Sequence, residues 1–185
     1  LAPGSMSSSG QKQQIYLDNI HVQSAQQTKV AFFYDDRGQR IRKESYISGG
    51  RYFTTKKTFY VRDAAASVMG IYTQTITSGT LPLKPAIAEH SIYGSGRIGV
   101  YKRVSGRGGS SYALYELTDH LGNVRAVLKK TGTAAYALTS NTDYYPFGEP
   151  MPNKHTTDGN YRYAFQGQEK DAETEMEAFE LRLWD

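Results

Sequence analysis

Apolar and polar residues alternate in short runs along most of the chain, a period of two that is typical of half-buried β-strands. Each run has about 4 to 8 residues, which is an ordinary strand length. Glycine or an Asp-containing turn separates one run from the next. The pattern predicts an all-β fold of successive antiparallel β-hairpins. The predicted strands are IYLDNIHVQS, TKVAFFYDD, RIRKESYIS, RYFTTKKTFYVRD, VMGIYTQTIT, HSIYG, RIGVYKRVS, SYALYELTD, VRAVLKKTG and AAYALTSNTDYYP.

The turns between these strands repeat one chemistry, in which Asp is followed three positions later by a small residue. The pairs are Asp35 with Gly38, Asp63 with Ala66, and Asp119 with Gly122. Asp accepts backbone N–H bonds from the residues that follow it, and glycine supplies a positive φ, so each unit is predicted to be a hairpin. The Asp positions are 28 and then 56 residues apart, which is typical of a repeating supersecondary unit. Residues 92–101, IYGSGRIGVY, are interpreted as a degenerate copy.

Stacked hairpins are expected to bury an aromatic face and to form a curved sheet or part of a β-shell. From Asp143 the texture changes, because the prolines of DYYPFGEPMP interrupt regular strands. The last segment contains good helix formers, whereas Phe179, Leu181 and Leu183 alternate as in a strand. Residues 170–175 are highly charged, so we expect a solvent-exposed turn there. A strand at about residues 178–184 should follow, with a short helix as the alternative.

Composition narrows the possible classes of protein. The 185 residues include no cysteine, which excludes disulfides and thiolate metal sites. No apolar run approaches the roughly 20 residues that span a bilayer. The net charge is +4, but residues 165–185 carry seven acidic and two basic side chains, so the acidic end is expected to be attracted back onto the basic remainder. Residues 1–10, LAPGSMSSSG, are predicted to be a vector-derived flexible leader.

The candidate catalytic and cofactor sites have simpler structural explanations. Asp119 and His120 are adjacent, and neighbours on a strand face opposite sides. We therefore expect a turn-forming Asp beside a packed or hydrogen-bonded His, and no catalytic residue. GSGRIG at residues 94–99 matches a dinucleotide-binding pattern, but a strand-like run follows it where that site needs a helix. It is interpreted as a glycine hairpin, and no cofactor is predicted.

Metal and nucleic-acid sites are not predicted either. The four His are dispersed along the chain, which disfavours zinc. The acid pairs Asp35–Asp36 and Asp171–Glu173 could bind calcium, but turn formation and solvation explain them more simply. Basic and aromatic residues interleave between Arg37 and Arg62. Exposed faces of strands commonly carry Lys and Arg, so nucleic-acid binding is not expected.

Three segments, in order, resemble the Rhs repeat-associated core region of bacterial Rhs/YD-repeat proteins, in the variant typical of Bacteroidetes. They are YELTDHLGNVRAVL, DYYPFGEPMP and YRYAFQGQEKDAETEMEAFELRLWD. FFYDDRGQRIRK is similar to an ordinary YD repeat, and the resemblance covers about residues 30–185. The motif residues are Tyr34, Asp35, Gly38 and Asp63 in the repeats, then Thr118, Asp119, His120, Leu121, Gly122, Asn123, Arg125, Tyr144, Pro146, Phe147, Gly148, Tyr163, Phe165, Gly167, Glu169 and Asp171.

The resemblance implies that hairpin repeats at residues 11–142 and a core-motif segment at residues 143–185 belong to a secreted or cell-surface shell. Such a shell encloses or displays a C-terminal polymorphic toxin, so the implied partners are the rest of the shell and that cargo. Many members cut themselves at a downstream Asp-Pro motif, and this sequence contains no Asp-Pro. We therefore expect a structural, non-enzymatic module.

Two other functions stay open at this point. One is a surface adhesion or glycan-binding module, because tyrosines on exposed sheet faces can stack against sugars. The other is part of the self-cleaving, aspartyl-protease-like core, inactive in this chain. A homo-oligomer formed by pairing of sheet edges is also expected, since unpaired edges invite association.

Overall fold

The computed structural model describes residues 29–49, 52–104, 109–159, 161–179 and 182–184. Ten of the described strands form one antiparallel sheet in which every strand pairs with the next one in the chain. They are β1 (Lys29–Tyr34), β2 (Arg40–Gly49), β3 (Tyr52–Arg62), β4 (Val68–Thr77), β5 (Ala86–Tyr93), β6 (Arg97–Lys102), β7 (Tyr112–Thr118), β8 (Val124–Lys130), β9 (Tyr136–Tyr144) and β10 (Pro150–Thr157). The predicted all-β fold of successive hairpins is confirmed. The predicted leader and the first predicted strand lie outside the described residues.

The C-terminal segment forms a second, smaller sheet. Its strands are β11 (Glu169–Lys170), β12 (Glu177–Phe179) and β13 (Arg182–Trp184), preceded by a 3-10 turn at Phe165–Gly167. The prediction of one strand at about residues 178–184 is right in its β conformation but wrong in its continuity, because two short strands, β12 and β13, pair antiparallel there. The helical alternative is wrong. We call the described residues between 161 and 184 the strap.

Five turns in the described chain share one backbone hydrogen-bond pattern. The first residue's N–H donates to the carbonyl four positions on, and the fourth residue's N–H donates back to the first carbonyl. The fourth residue has a positive φ, and in the four turns of the ten-stranded sheet this fits a type I turn followed by a left-handed residue. The turn in the strap differs, because its third residue, Gln166, also has a positive φ, of 49°. The turns occupy residues 35–39, 63–67, 119–123, 145–149 and 164–168. Their fourth residues are Gly38, Ala66, Gly122, Gly148 and Gly167, with φ of 75°, 67°, 82°, 97° and 65°.

The hairpin between β5 and β6 is tighter, since the Gly94 N–H donates to the Gly96 carbonyl at 2.8 Å. The predicted glycine hairpin is therefore confirmed, and β6 follows it where a dinucleotide site needs a helix. Because consecutive strands run in opposite directions, alternate turns lie at the same end of the sheet. We call this end the turn rim; it comprises residues 35–39, 63–67, 94–96, 119–123 and 145–149.

The strap packs on one face of the ten-stranded sheet, here called the strap face. Residues directly opposed on paired strands share a face, and Val100 is opposed to Leu114. These two residues join Val124, Val127 and Tyr163 of the strap in the main apolar cluster, where each is at most 7% exposed. The other face, here called the open face, carries Tyr101, Tyr115 and Leu138. The strap thus closes a core that the sheet cannot close alone.

Candidate functional site

The Asp of each repeat is held by the turn that it forms. The Oδ1 atom of Asp119 accepts the N–H of Leu121 and of Asn123, both at 3.0 Å, and Oδ2 accepts the Asn123 side-chain amide at 2.8 Å. Burial opposes ionisation, but these hydrogen bonds lower the pKa of Asp119 below its ordinary value. Oδ1 of Asp35 and of Asp63 likewise accepts the N–H groups two and four positions on. The motif Asp therefore builds a turn.

The other motif residues of the first segment, YELTDHLGNVRAVL, are either exposed to solvent or bonded within the fold. His120 is exposed at the tip of the turn, so of the two expectations, a packed or a hydrogen-bonded His, the packed one is wrong. Leu121 is 64% exposed. Asn123 is buried, and its Oδ1 atom accepts the Gln166 N–H of the strap at 3.0 Å. Arg125 forms an ion pair with Asp143 on β9.

The second motif places a tyrosine and a glycine against the strap. The Tyr144 hydroxyl donates to the Val124 carbonyl at 3.1 Å, and its ring centroid lies 5.6 Å from that of Phe165. Burial raises the pKa of Tyr144 to about 12. Gly148 is buried under Phe165, whereas Pro146 and Phe147 are exposed on the turn rim. Gly148 thus provides the close approach between this turn and the strap.

In the third motif, the turn at residues 164–168 packs on the turn between β7 and β8. The Val124 N–H donates to the Ala164 carbonyl at 3.1 Å. The Arg97 guanidinium lies 3.4 Å from the centre of the Tyr163 ring, and it donates to the Gly167 carbonyl at 2.9 Å. Stacking of a cation on an aromatic face adds attraction to the apolar burial of Tyr163.

A buried ionic cluster joins the strap to β2. Asp171 is fully buried, and Arg40 Nη1 donates to its two carboxylate oxygens at 3.1 and 2.9 Å. Lys43 Nζ donates to Asp171 and to Glu173, both at 2.8 Å. The expectation of a solvent-exposed turn at residues 170–175 is therefore wrong for Asp171, since two cations of β2 compensate its buried charge.

Glu169 extends this cluster towards the centre of the strap face. Its Oε1 atom accepts the Tyr60 hydroxyl at 2.9 Å and Arg162 Nη1 at 2.7 Å. Arg162 also pairs with Glu89 of β5 at 2.6 Å. Burial alone would raise the pKa of Glu169, but the neighbouring cations Arg162, Lys43 and Arg40 lower it. The predicted attraction of the acidic end to the basic remainder is confirmed.

No protein-family model matches this chain, and no curated protein matches it. Solved structures of Rhs/YD-repeat proteins do match. Crystal structures entitled TcdB2-TccC3-Cdc42, TcdB2-TccC3 and TcdB2-TccC3-TEV contain chains that superpose with TM-scores of 0.61, 0.64 and 0.59. Their sequence identities are 15%, 15% and 17%, over 84%, 85% and 86% of this chain.

The fold is that of a segment of those chains. This chain spans only 7% of the length of each of them. The likeness supports the resemblance to the Rhs/YD-repeat family at the level of the fold. The Bacteroidetes-type variant stays a prediction.

Within the described ranges, no group of three or more His, Asp or Glu is placed to hold a metal ion. Asp171 and Glu173 hold the Lys43 ammonium group between them.

No helix in the part of the chain that the structure describes is long and apolar enough to cross a membrane.

The sheet residues that receive the strap were missed by sequence reasoning. Arg40, Lys43 and Arg97 lie in strands whose charged residues occur at both alternating positions, so period-two patterning does not show which of them face inward. Glu116 is the one charged residue of β7. Glu116 accepts the Tyr161 hydroxyl and pairs with Arg97 at 3.4 Å. The available signal was the opposite charge of strap and sheet, which indicates attraction but not the partners.

Proposed function

We propose that the chain is a non-enzymatic structural module in the wall of a β-shell, within an Rhs/YD-repeat protein that encloses or displays a C-terminal toxin. The observation that carries the proposal is the ten-stranded meander with one repeated turn geometry along its rim, onto which the strap motifs pack. The fold likeness over most of the chain supports it. By the same resemblance, the parent protein is proposed to be secreted or located at the cell surface.

The motif residues support a structural role because their polar groups are used in folding. Asp119 closes a turn, Tyr144 bonds to the backbone of β8, and Asp171 binds two cations of β2. An acid that serves in catalysis needs access to a substrate and a pKa matched to its task. Asp171 is fully buried and already paired. The proposal therefore assigns no catalytic residue to this chain.

Protease protection of the full-length parent tests the enclosure. The intact parent and its isolated cargo domain are digested side by side with a broad-specificity protease, and the cargo is followed by mass spectrometry. We expect the cargo to survive only inside the parent. Equal rates of cargo digestion would contradict enclosure. Prolonged incubation of this chain alone should leave its mass unchanged, and cleavage within it would contradict a non-enzymatic role.

A glycan-binding module is the second candidate, because aromatic side chains are accessible on the open face. Tyr101 is 38% exposed and Tyr136 is 52% exposed. The Tyr136 ring meets Tyr115 edge-on, with centroids 6.0 Å apart. Tyr60 of β3, in contrast, is only 7% exposed and is a poor platform. A glycan array comparing the wild type with Tyr101→Ala and Tyr136→Ala separates the candidates, since a wall module should bind nothing.

Association with a second copy is proposed to use β1, because the two outer strands of the sheet, among the described residues, differ. β10 carries Pro150 and Pro152, which lack an N–H group, and its pairing with β9 breaks between Pro150 and His155. Prolines and irregular pairing hinder an outer strand from pairing with a second chain. β1, in contrast, pairs regularly with β2 along most of its length.

Light scattering across a concentration series tests this association. The mass should rise with concentration for the wild type and for Thr156→Lys on β10. It should rise less for Ala31→Lys on β1, since an edge lysine opposes pairing. A monomeric mass for the wild type at every concentration would contradict the proposal.

A further inference from the structure

The strap is attached to the sheet at two places that differ in their physical chemistry. At the first, Tyr163 enters the apolar cluster of Leu114, Val124 and Val127. At the second, Asp171 and Glu173 meet the cations of β2, and residues 169–174 include no large apolar side chain. The first attachment depends on apolar burial and the second on charge.

We propose that residues 169–179 form a latch that opens when Glu169, Asp171 and Glu173 lose their charge, while residues 161–167 stay docked on the sheet. Opening would uncover Lys43, Ser45 and Tyr60 on the strap face, which the latch now contacts through hydrogen bonds. The latch follows from contacts within this chain, so it stands whether or not the shell function does.

Charge loss opens the latch because the ion pairs are buried. Taking ions out of water costs free energy that is recovered only while both partners are charged and well placed. The side chain of Lys43 is 6% exposed, and that of Arg40 is also 6% exposed. Neutralising Asp171 would leave these two cations buried without their main partner. The Tyr163 side chain does not depend on these charges, because it packs on the apolar cluster and under Arg97. Its backbone is bridged to Glu169 of the latch, so the side-chain contacts are what keep Tyr163 docked.

Acid is the natural trigger. Burial alone would raise the pKa of Glu173, but Lys43 and Ser45 lower it from 4.5 to about 2. The pKa of Glu169 is lowered as well. Their stabilisation is therefore complete above about pH 4.5 and is lost as the pH falls towards 2. The titratable and charged groups that interact with Glu169, Asp171 and Glu173 are Arg40 and Lys43 of β2, Tyr60 of β3, and Arg162 and Tyr163 of the strap. Tyr34 of β1, Glu89 of β5 and Lys102 of β6 lie behind them and interact with Arg40 or Arg162. Glu177, near Tyr144, differs from these acids, because burial raises its pKa.

Hydrogen exchange of the full chain, read by mass spectrometry on peptides, tests the latch. In Asp171→Asn at neutral pH, exchange within residues 169–179 should accelerate by on the order of 100-fold, because breaking a buried ion pair has a large cost. Exchange within residues 124–130 should be unchanged, because the Val124 N–H donates to the Ala164 carbonyl of the docked segment. Within residues 161–167, only the exchange of amides that donate to the latch, such as Phe165 N–H to Glu177, should accelerate. Asp36→Asn, the same change at an exposed position of the turn rim, is the matched control and should alter neither region.

A milder variant covers the case in which Asp171→Asn does not fold. Glu173 is partly exposed, and Glu173→Gln should accelerate the same peptides by a smaller factor. For the wild type, exchange corrected for the intrinsic rate should rise in residues 169–179 as the pH falls below about 4.5, before residues 124–130 respond. Equal acceleration of all peptides would overturn the proposal, since strap and sheet would then open together. Unchanged exchange in the latch would overturn it equally.

Discussion

Substituting alanine for Gly148 tests how the second motif meets the strap. Gly148 is the fourth residue of its turn, with φ of 97°. A Cβ atom there would lie 2.7 Å from Cδ1 and 2.8 Å from Cγ of the Phe165 ring. Gly122 occupies the same position in the turn between β7 and β8, with φ of 82°, and its Cβ would meet nothing within 4 Å. The two glycines therefore share a conformation and differ in their surroundings.

The difference between the two substitutions isolates the steric contribution. A left-handed conformation costs an L-residue about 1–2 kcal/mol at either position. Gly→Ala also reduces the entropy of the unfolded chain, by a similar amount at both sites. The ring contact adds about 1–3 kcal/mol at Gly148 alone, the usual cost of overpacking. Gly148→Ala should thus lower the free energy of unfolding by about 1–3 kcal/mol more than Gly122→Ala does.

Urea unfolding, followed by circular dichroism, gives both free energies. Phe165→Ala in the Gly148→Ala background should recover much of the extra loss, because it removes the ring that the new methyl group meets. The double-mutant cycle measures that coupling directly. Equal losses for the two glycine variants, with no coupling to Phe165, would refute the reasoning.

Four further predictions concern the turns and the strap. Gly122→Val should destabilise the fold by about 1–2 kcal/mol or more, because its φ suits glycine; an unchanged melting temperature would contradict this. Ala66→Gly should raise the melting temperature, since Ala66 has φ of 67° in the equivalent turn. Glu173→Gln should flatten the loss of stability between about pH 4.5 and 2, as measured by urea midpoints at each pH. Arg97→Lys should lower the free energy of unfolding by about 1–2 kcal/mol, because lysine loses the planar stacking on Tyr163; an unchanged urea midpoint would mean that the stacking contributes little.

The repeated turns were predictable where their chemistry is local. An Asp followed by a residue suited to positive φ specifies the turn within five residues. The turns that begin at Tyr145 and Ala164 were not predicted, because neither first residue is Asp. Their geometry needs only the two backbone hydrogen bonds and the glycine in fourth position. The carboxylate adds acceptors to the turn without being required for it.

The burial of Asp171 could not be predicted from a charged segment. Its partners, Arg40 and Lys43, lie 131 and 128 residues away in the sequence. The charge imbalance between the two parts of the chain indicated attraction, but a net charge does not identify which residues pair. Only the fold places these two cations side by side along one strand face, and that placement makes burial of the carboxylate possible.

The three motif segments, separate in the sequence, are parts of one contact surface. Asn123 of the first accepts a hydrogen bond from the strap, Gly148 of the second lies under Phe165 of the strap, and Tyr163 of the third enters the core. Each segment thus needs the other two for its buried residues to have partners. The exposed motif residues behave differently: Phe147 is 81% exposed and Leu121 is 64% exposed on the turn rim. Their apolar side chains contribute little to the core, so any role that they have belongs to surfaces that face outward from this fold.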